Sequence, residues 1–412
     1  MRPDEIAGFG DLASEAAAGV TRQIHEMHTG IARRVWRRVG PPAIPVRIAH
    51  DRIARGAYEA AGELTRVVVR AGAQAASAAR SPDAPSVQRS PAGRAVLSAL
   101  NGAFGDTLVR SGNPLALPMA FRRGGRDLGL TRTELAAAYP NAKSRLAVFV
   151  HGLCENDDAW KLGAARHVPY GDRMEIELGY SPLYLRYNTG RHVSENGREF
   201  AEALERLIAA WPVRVNEVVL IGHSVGGLVS RSACHYGAGS DCVAKVRHVV
   251  TLGTPHRGVP LEQVANAASV ALARLPETRP VAKALNIRSS GIKDLRYGYL
   301  VDECWSGQDC DAYLRNTSRD IPFLPTARHY FICATLSREA DAVVGRIIGD
   351  LLVLAPSAWS HRGRGERLSF PIEHYYHLGG ANHFDLLNHP AIYDQIRRCV
   401  QSQRALPAPA GG

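Results

Sequence analysis

No stretch of the 412 residues has the uninterrupted apolar length that crosses a bilayer. The start, Met1-Arg2-Pro3-Asp4-Glu5, lacks the basic end and apolar middle of a secretory signal, so the expected setting is soluble and cytoplasmic. The seven cysteines are scattered from Cys154 to Cys399 without a CxxC pair at metal-ligand spacing, which argues against a metal site. Cys304 and Cys310 are near enough to close a small loop, but in a reducing cytosol free thiols are the expectation. Disorder is excluded too, because hydrophobic residues make up 45% and charged residues 22%, ample for a sizeable core. No cofactor and no nucleic-acid partner is expected.

What the chain does have is an excess of positive charge, 50 basic against 39 acidic residues, with arginine supplying nearly all of it. Such a balance permits attraction to phosphates or anionic lipid surfaces and specifies neither. Length points to one large domain with an appendage, or to two domains. Composition divides the chain into a helical extension over 1–140, a main domain over 141–402 and a flexible tail over 403–412.

The first third is rich in Ala and Arg and contains little that resembles a strand. Val20, Ile24, Met27, Ile31 and Val35 recur at three- and four-residue steps, placing them on one face of a helix that runs to about Val39 and stops at Gly40-Pro41-Pro42. A second helix is predicted from about Val46 to Ala79, and a third from about Pro91 to Phe104. The cluster Arg33-Arg34-Val35-Trp36-Arg37-Arg38 admits peripheral contact with an anionic membrane. The plainer expectation is a helical wrap whose arginines are solvated while its apolar face packs on the main domain.

From about residue 145 apolar runs bounded by turns alternate with helical patterns, the signature of a mostly parallel sheet with helices on both faces. Strands are predicted at 145–150, 182–187, 217–221, 247–252, 329–334 and 374–378, with helices at 194–211 and from Pro390. The fold class is α/β. Between about Val259 and Asp320 lies an insertion longer than an ordinary connection. Its first half, with Leu261, Val264, Ala268, Leu272 and Leu275, reads as amphipathic; its second half carries Tyr297, Tyr299, Leu300, Trp305 and Tyr313. It is expected to act as a cap that supplies an apolar pocket over the carboxyl edge of the sheet.

The chemistry gathers at Val218-Val219-Leu220-Ile221-Gly222-His223-Ser224-Val225-Gly226-Gly227: a buried strand, a GxSxG turn and the start of a helix. Gly222 and Gly226 remove the side chains that would block a tight crossing, so the turn presents the Ser224 hydroxyl at the carboxyl edge of the sheet. Acyl transfer through such a serine needs two N–H donors for the oxyanion. The residue after the serine and the earlier loop His151-Gly152-Leu153 assign these to the amides of Val225 and Leu153. His151 reads as a structural prop and His256 as loop support.

Serine at its free pKa is a poor nucleophile, so a base is required, held in the right tautomer by a carboxylate. Of the two histidines near the last strand, His377 lies within it and His383 in the loop beyond, which makes His383 the candidate base. The acid should follow the strand ending near Thr335. Asp341 is the nearer candidate and Asp350 the farther.

Together His151-Gly152, Gly222-His223-Ser224-Val225-Gly226-Gly227, Leu252-Gly253-Thr254-Pro255-His256-Arg257-Gly258, Gly349-Asp350-Leu351-Leu352-Val353 with Ser357-Ala358, and His383-Phe384-Asp385-Leu386-Leu387 resemble the bacterial lipase and esterase branch of the α/β-hydrolase fold. They are similar in particular to the GPI inositol-deacylase-like hydrolases. In that branch the acid commonly opens an Asp-Gly-Leu-Val motif, so the resemblance implies Ser224 as nucleophile, His383 as base and Asp350 as acid. Leu351 stands where that motif has glycine, and Asp341 stays open as the alternative acid. The resemblance covers about residues 145–402 and implies cleavage of carboxylic esters in small-molecule or lipid substrates through an acyl-enzyme. Alternatives within the same chemistry are acyl transfer and thioester or amide cleavage. An alternative outside it is a membrane- or partner-docking protein with a vestigial hydrolase site.

Overall fold

The computed structural model describes residues 1–39, 44–274, 278–336 and 374–402. Two long helices, α1 (Pro3–Val39) and α2 (Ile44–Ala78), pack along each other as a hairpin, followed by α3 (Pro91–Arg110) and the short α4 (Arg132–Ala138). The seam between the first two is built from small residues toward its open end and from packed rings toward the other, where His25 stacks on Tyr58 with centroids 4.9 Å apart and His28 and Trp36 meet His50 edge-on. A side chain at Gly10 would come within 2.1 Å of Ala73 Cβ, and Ser14, Ala18, Ala32 and Gly62 are buried. At the open end close backbone approach therefore replaces interdigitation of large side chains. Val20, Ile24, Met27 and Ile31, the face expected to pack on the main domain, are instead exposed.

The hairpin is tied down at its open end. Glu5 accepts hydrogen bonds from the Val87 amide at 2.9 Å and the Ser86 hydroxyl at 2.5 Å, and Asn113 Nδ2 donates to the Gly8 carbonyl at 3.0 Å.

A second departure from the sequence reading is a pair of short strands, β1 (Ala120–Arg123) and β2 (Arg126–Asp127), in a region expected to be helical. They are too short and too rich in arginine to signal themselves. Arg122 is nonetheless buried, because Asp157 and Asp127 neutralise it there.

The main sheet continues with β3 (Arg145–Val150), β4 (Ser181–Arg186), β5 (Glu217–His223), β6 (Val246–Leu252), β7 (Arg328–Thr335) and β8 (Tyr375–Gly379). Among the described residues it has eight strands in the order β2-β1-β4-β3-β5-β6-β7-β8. β1 is antiparallel to both its neighbours, and every pairing from β4 to β8 is parallel.

The two-residue period of the strands sorts their side chains into two cores. Leu146, Val148, Val150, Val218 and Leu220 face one side with α6 (Val193–Ala210) and α7 (Val225–Tyr236). Ala147, Phe149, Val219 and Ile221 face the other with α5 (Tyr170–Leu178) and α11 (Pro390–Gln401). Burial on both faces explains why these strands read as continuous apolar runs. β5 lies between β3 and β6, so the serine turn falls in the middle of the sheet.

The insertion forms α8 (Pro260–Ala273), α9 (Arg279–Leu285) and α10 (Ser290–Asp294). In its second half Tyr299 and Leu300 are buried in the same core as β3, β5 and β6, Tyr297 and Trp305 pack partly buried against that core, and Tyr313 is exposed. Asp294, also buried, accepts from the Val193 amide at 2.8 Å and pairs with His192 at 2.9 Å, and the His192 ring lies flat on Trp305 with centroids 3.8 Å apart. In α8 the amphipathicity is inverted. Glu262, Asn266 and Ser269 are buried while Leu261, Val264 and Ala268 face outward, because Arg296 and Arg288 receive the Glu262 carboxylate inside, each at 3.0 Å.

Candidate active site

The local geometry at Ser224 follows from the glycines around it. A Cβ at Gly222 would lie 2.6 Å from the Gly227 Cα, and one at Gly226 would lie 2.2 Å from the Val150 carbonyl oxygen. Backbone meets backbone at both points, so any side chain would force the turn apart. Ser224 itself adopts φ 52° and ψ −125°, a costly conformation for a residue with a side chain, between the last residue of β5 and the first of α7. Its amide donates to the Leu252 carbonyl at 2.8 Å, pinning the turn to the end of β6. Ser224 is half-buried, with the start of α7 directly behind it.

The contact between Gly226 and the Val150 and His151 carbonyls brings the Leu153 loop against the start of α7, where Val225 lies. His151 is buried and stacked on Tyr187, with ring centroids 4.5 Å apart. Its Nδ1 lies 2.9 Å from the Gly152 carbonyl, and the Tyr187 hydroxyl donates to the His151 carbonyl at 2.7 Å. Burial lowers its pKa and keeps the ring neutral, consistent with a prop. His256 is likewise held neutral, first by burial and then by the Arg231 charge, between Arg231 at 3.2 Å and Thr251 at 3.3 Å.

His383 opens a short 3₁₀ turn, His383–Leu387, after β8. Asn382 caps the turn by accepting from the Phe384 amide at 2.9 Å, while Asp385 accepts from the Asn382 amide at 2.8 Å. The His383 ring is buried against the end of β6: a Cβ at Gly253 would come within 2.8 Å of its Cε1 and 3.0 Å of its Nδ1. Gly253, at φ +58°, is thus required both by its backbone and by the ring beside it. Leu252 bonds the Ser224 amide and the next residue touches the His383 ring, so both candidates sit at the carboxyl ends of β5, β6 and β8. His377 lies within β8, its Nε2 2.7 Å from the Thr335 hydroxyl. Asp341 and Asp350 fall outside the described residues.

Two residues beside these escaped the sequence reading. Glu155 Oε2 accepts from the Gly152 amide at 2.7 Å and from His223 Nδ1 at 3.1 Å. The other nitrogen of His223 lies 3.2 Å from the His383 carbonyl oxygen, and the two rings are 4.6 Å apart. A carboxylate and a carbonyl oxygen both accept, so only the doubly protonated His223 ring satisfies both at once. Burial raises the Glu155 carboxyl, but the His223 charge and hydrogen bond and the Gly152 amide outweigh it and bring it down to about 2. One buried pair thus joins the Gly152 loop, the residue before Ser224 and the backbone of His383. The available signal was Glu155 three residues beyond Gly152, but nothing local tied it to His223.

Residues 143–308 match the PGAP1-like alpha/beta domain family. Among solved structures, the chain is similar to the mature lipase BlEst2 of Bacillus licheniformis, with 19% identity, 62% of this chain and 91% of that one covered, and a TM-score of 0.40. It is also similar to the phospholipase PlaB of Legionella pneumophila, at 16% identity over 63% of this chain and 60% of that one, with a TM-score of 0.40. Lipase 1 of Pelosinus fermentans is a third, at 14% identity over 64% of this chain and 100% of that one, with a TM-score of 0.35. No curated protein matches the sequence. With a mostly parallel sheet and a GxSxG turn at its central strand, the chain has the α/β-hydrolase fold, and its residues 143–308 are similar to the PGAP1-like alpha/beta domain family.

Proposed function

We propose that the protein is a serine hydrolase that cleaves carboxylic esters. The observation that carries this reading is Ser224 at φ 52° on the strand-to-helix turn, with the His383 ring held against Gly253 beside it. In the reaction His383 takes the Ser224 proton, and the hydroxyl oxygen attacks the ester carbonyl. The amides of Leu153 and Val225 hold the oxyanion, and the protonated His383 gives its proton to the departing alcohol. Water then repeats the sequence on the acyl-enzyme, releasing the acid and restoring Ser224. The acid that orients His383 is assigned to Asp350, with Asp341 as the alternative. Glu155 and His223 are positioning residues, holding the Gly152 loop and the His383 backbone without touching substrate.

The test is labelling of the purified protein by a fluorophosphonate, with turnover of para-nitrophenyl esters of graded acyl length. Labelling and turnover that both vanish in Ser224→Ala support the proposal; labelling that survives the change refutes it. A loss of several orders of magnitude in kcat/KM is the expected size.

A further inference from the structure

We propose that the α1–α2 hairpin docks the protein on the surface of an anionic phospholipid membrane. The proposal is independent of the catalytic reading and rests on where the hairpin puts its large apolar side chains and its charge.

Because small residues and the rings of His25, His28, His50 and Tyr58 form the inter-helix seam, the large aliphatic residues are left on the outside. On α1, Val20, Ile24, Met27 and Ile31 are exposed, and steps of four, three and four residues keep them on one face. On α2, Val46, Ile53, Leu64 and Val68 form a second stripe; Ile53 is 73% and Leu64 65% exposed. At 1.5 Å per residue the α2 stripe is about 33 Å long. A soluble helix ordinarily turns such a stripe inward, and an exposed one of this length marks an interaction surface. The inversion recurs next door. α9 packs on both α1 and α8, and α8 buries its polar face while Leu261 stands 69% exposed.

Charge complementarity selects the occupant. Between Val20 and Tyr58, the half of the hairpin where α1 ends and α2 begins, there are eight arginines and only two acidic residues, Glu26 and Asp51. In the open-end half, over 2–19 and 59–80, four arginines meet six acidic residues. There the charges are matched across the seam, as in Arg70 with Asp11 at 3.1 Å and Arg66 with Glu15 at 3.5 Å. The excess is therefore displaced toward the end remote from the anchoring contacts at Glu5 and Gly8.

A cleft of about 340 Å³ opens at this basic half, where Arg33 and Arg55 of the hairpin and Arg279 and Lys283 of α9 outnumber Glu26 and Asp51, and Lys283 pairs with Glu26 at 2.6 Å. Arginine guanidinium groups suit lipid phosphates, and each basic residue near an anionic surface adds about 1 kcal/mol of attraction, roughly fivefold in partitioning. A second copy of this chain would bring the same positive charge to the same surface and repel it. Among the described residues no helix is long and apolar enough to cross a membrane, so the hairpin would lie in the interface rather than span it.

The test is co-sedimentation of the full-length protein with vesicles of phosphatidylcholine alone and with about 30 mol% phosphatidylglycerol. Binding to the anionic vesicles, weakened by about 0.5 M salt, is expected. Ile53→Glu with Leu64→Glu, both at exposed positions, should lower it at least roughly tenfold, and so should Arg52→Glu with Arg55→Glu. Ser224→Ala should bind as the wild type does. Equal thermal midpoints for wild type and variants would show that the fold is kept. Failure of the wild type to bind, or unchanged binding in both double variants, overturns the proposal. So does a stable dimer that Ile53→Glu with Leu64→Glu dissociates, since the stripe would then be a contact between copies.

Discussion

The carboxylate of Glu155 lies 3.1 Å from Nδ1 of His223, the residue immediately before Ser224, and the same oxygen holds the Gly152 amide at 2.7 Å. One acidic side chain thus touches both the loop proposed to supply an oxyanion donor and the strand end that presents the serine. Glu155→Gln keeps the shape but removes the charge. It is expected to lower kcat on a soluble ester by roughly tenfold to a hundredfold with little change in KM, as loss of a positioning group does. Steady-state kinetics that show a change in KM alone would refute the positioning role.

The same pair sets an acid limit on stability. The Glu155 carboxyl is brought from its ordinary 4.5 down to about 2 in the folded protein, so its contribution is present above 4.5 and is lost as pH falls toward 2. Thermal unfolding of wild type and Glu155→Gln should differ most above pH 4.5 and converge below it. A gap that stays constant down to pH 2 would contradict this linkage.

Buried histidines act in the neighbouring pH range. Burial, then the Arg231 charge, lowers His329 from 6.5 to about 3, and burial lowers His248 to about 4. The unfolded chain takes up these protons first, so stability falls as pH drops from 6.5 toward 3. The wild-type midpoint should therefore decline through this range, and His329→Asn should show a shallower decline. An identical slope in the variant would remove His329 as a source.

Gly253→Ala is predicted to act on catalysis through His383. Its Cβ would come within 2.8 Å of the imidazole Cε1, and alanine at φ +58° adds backbone strain of about 1 kcal/mol or more. A displacement of the ring by a fraction of an ångström is expected to cost roughly a hundredfold in kcat. Activity assays beside thermal melts distinguish ring displacement from unfolding: wild-type kcat in the folded variant would show that His383 does not need its place against Gly253.

For the acid, Asp350→Asn is expected to lower kcat by roughly ten-thousandfold while Asp341→Asn retains turnover. The reverse result would move the assignment to Asp341.

Much of the frame was legible in the chain because it is set by neighbours in sequence. The apolar runs at 145–150 and 247–252 give strands wherever both faces are buried, and Gly222 and Gly226 announce the turn at Ser224. The placement of His383 after β8 followed from the order of elements. Periodicity also showed that Val20, Ile24, Met27 and Ile31 share a helix face, and that Leu261 and Val264 belong together.

Periodicity does not say which way a face points. That α1 and α8 turn their apolar sides outward was decided by what the opposite sides met: a seam that closes on Gly10 against Ala73 and on the rings of His25 and His28 against Tyr58 and His50, and two arginines waiting for Glu262. The strands at Ala120–Arg123 and Arg126–Asp127 likewise depend on a distant Asp157 to neutralise Arg122. Only folding brings Glu155, His223 and the His383 backbone into one hydrogen-bonded chain. Local sequence governs backbone conformation and which side chains share a face; meetings between distant polar groups depend on how those elements stack, since a buried charge is tolerated only where its partner arrives.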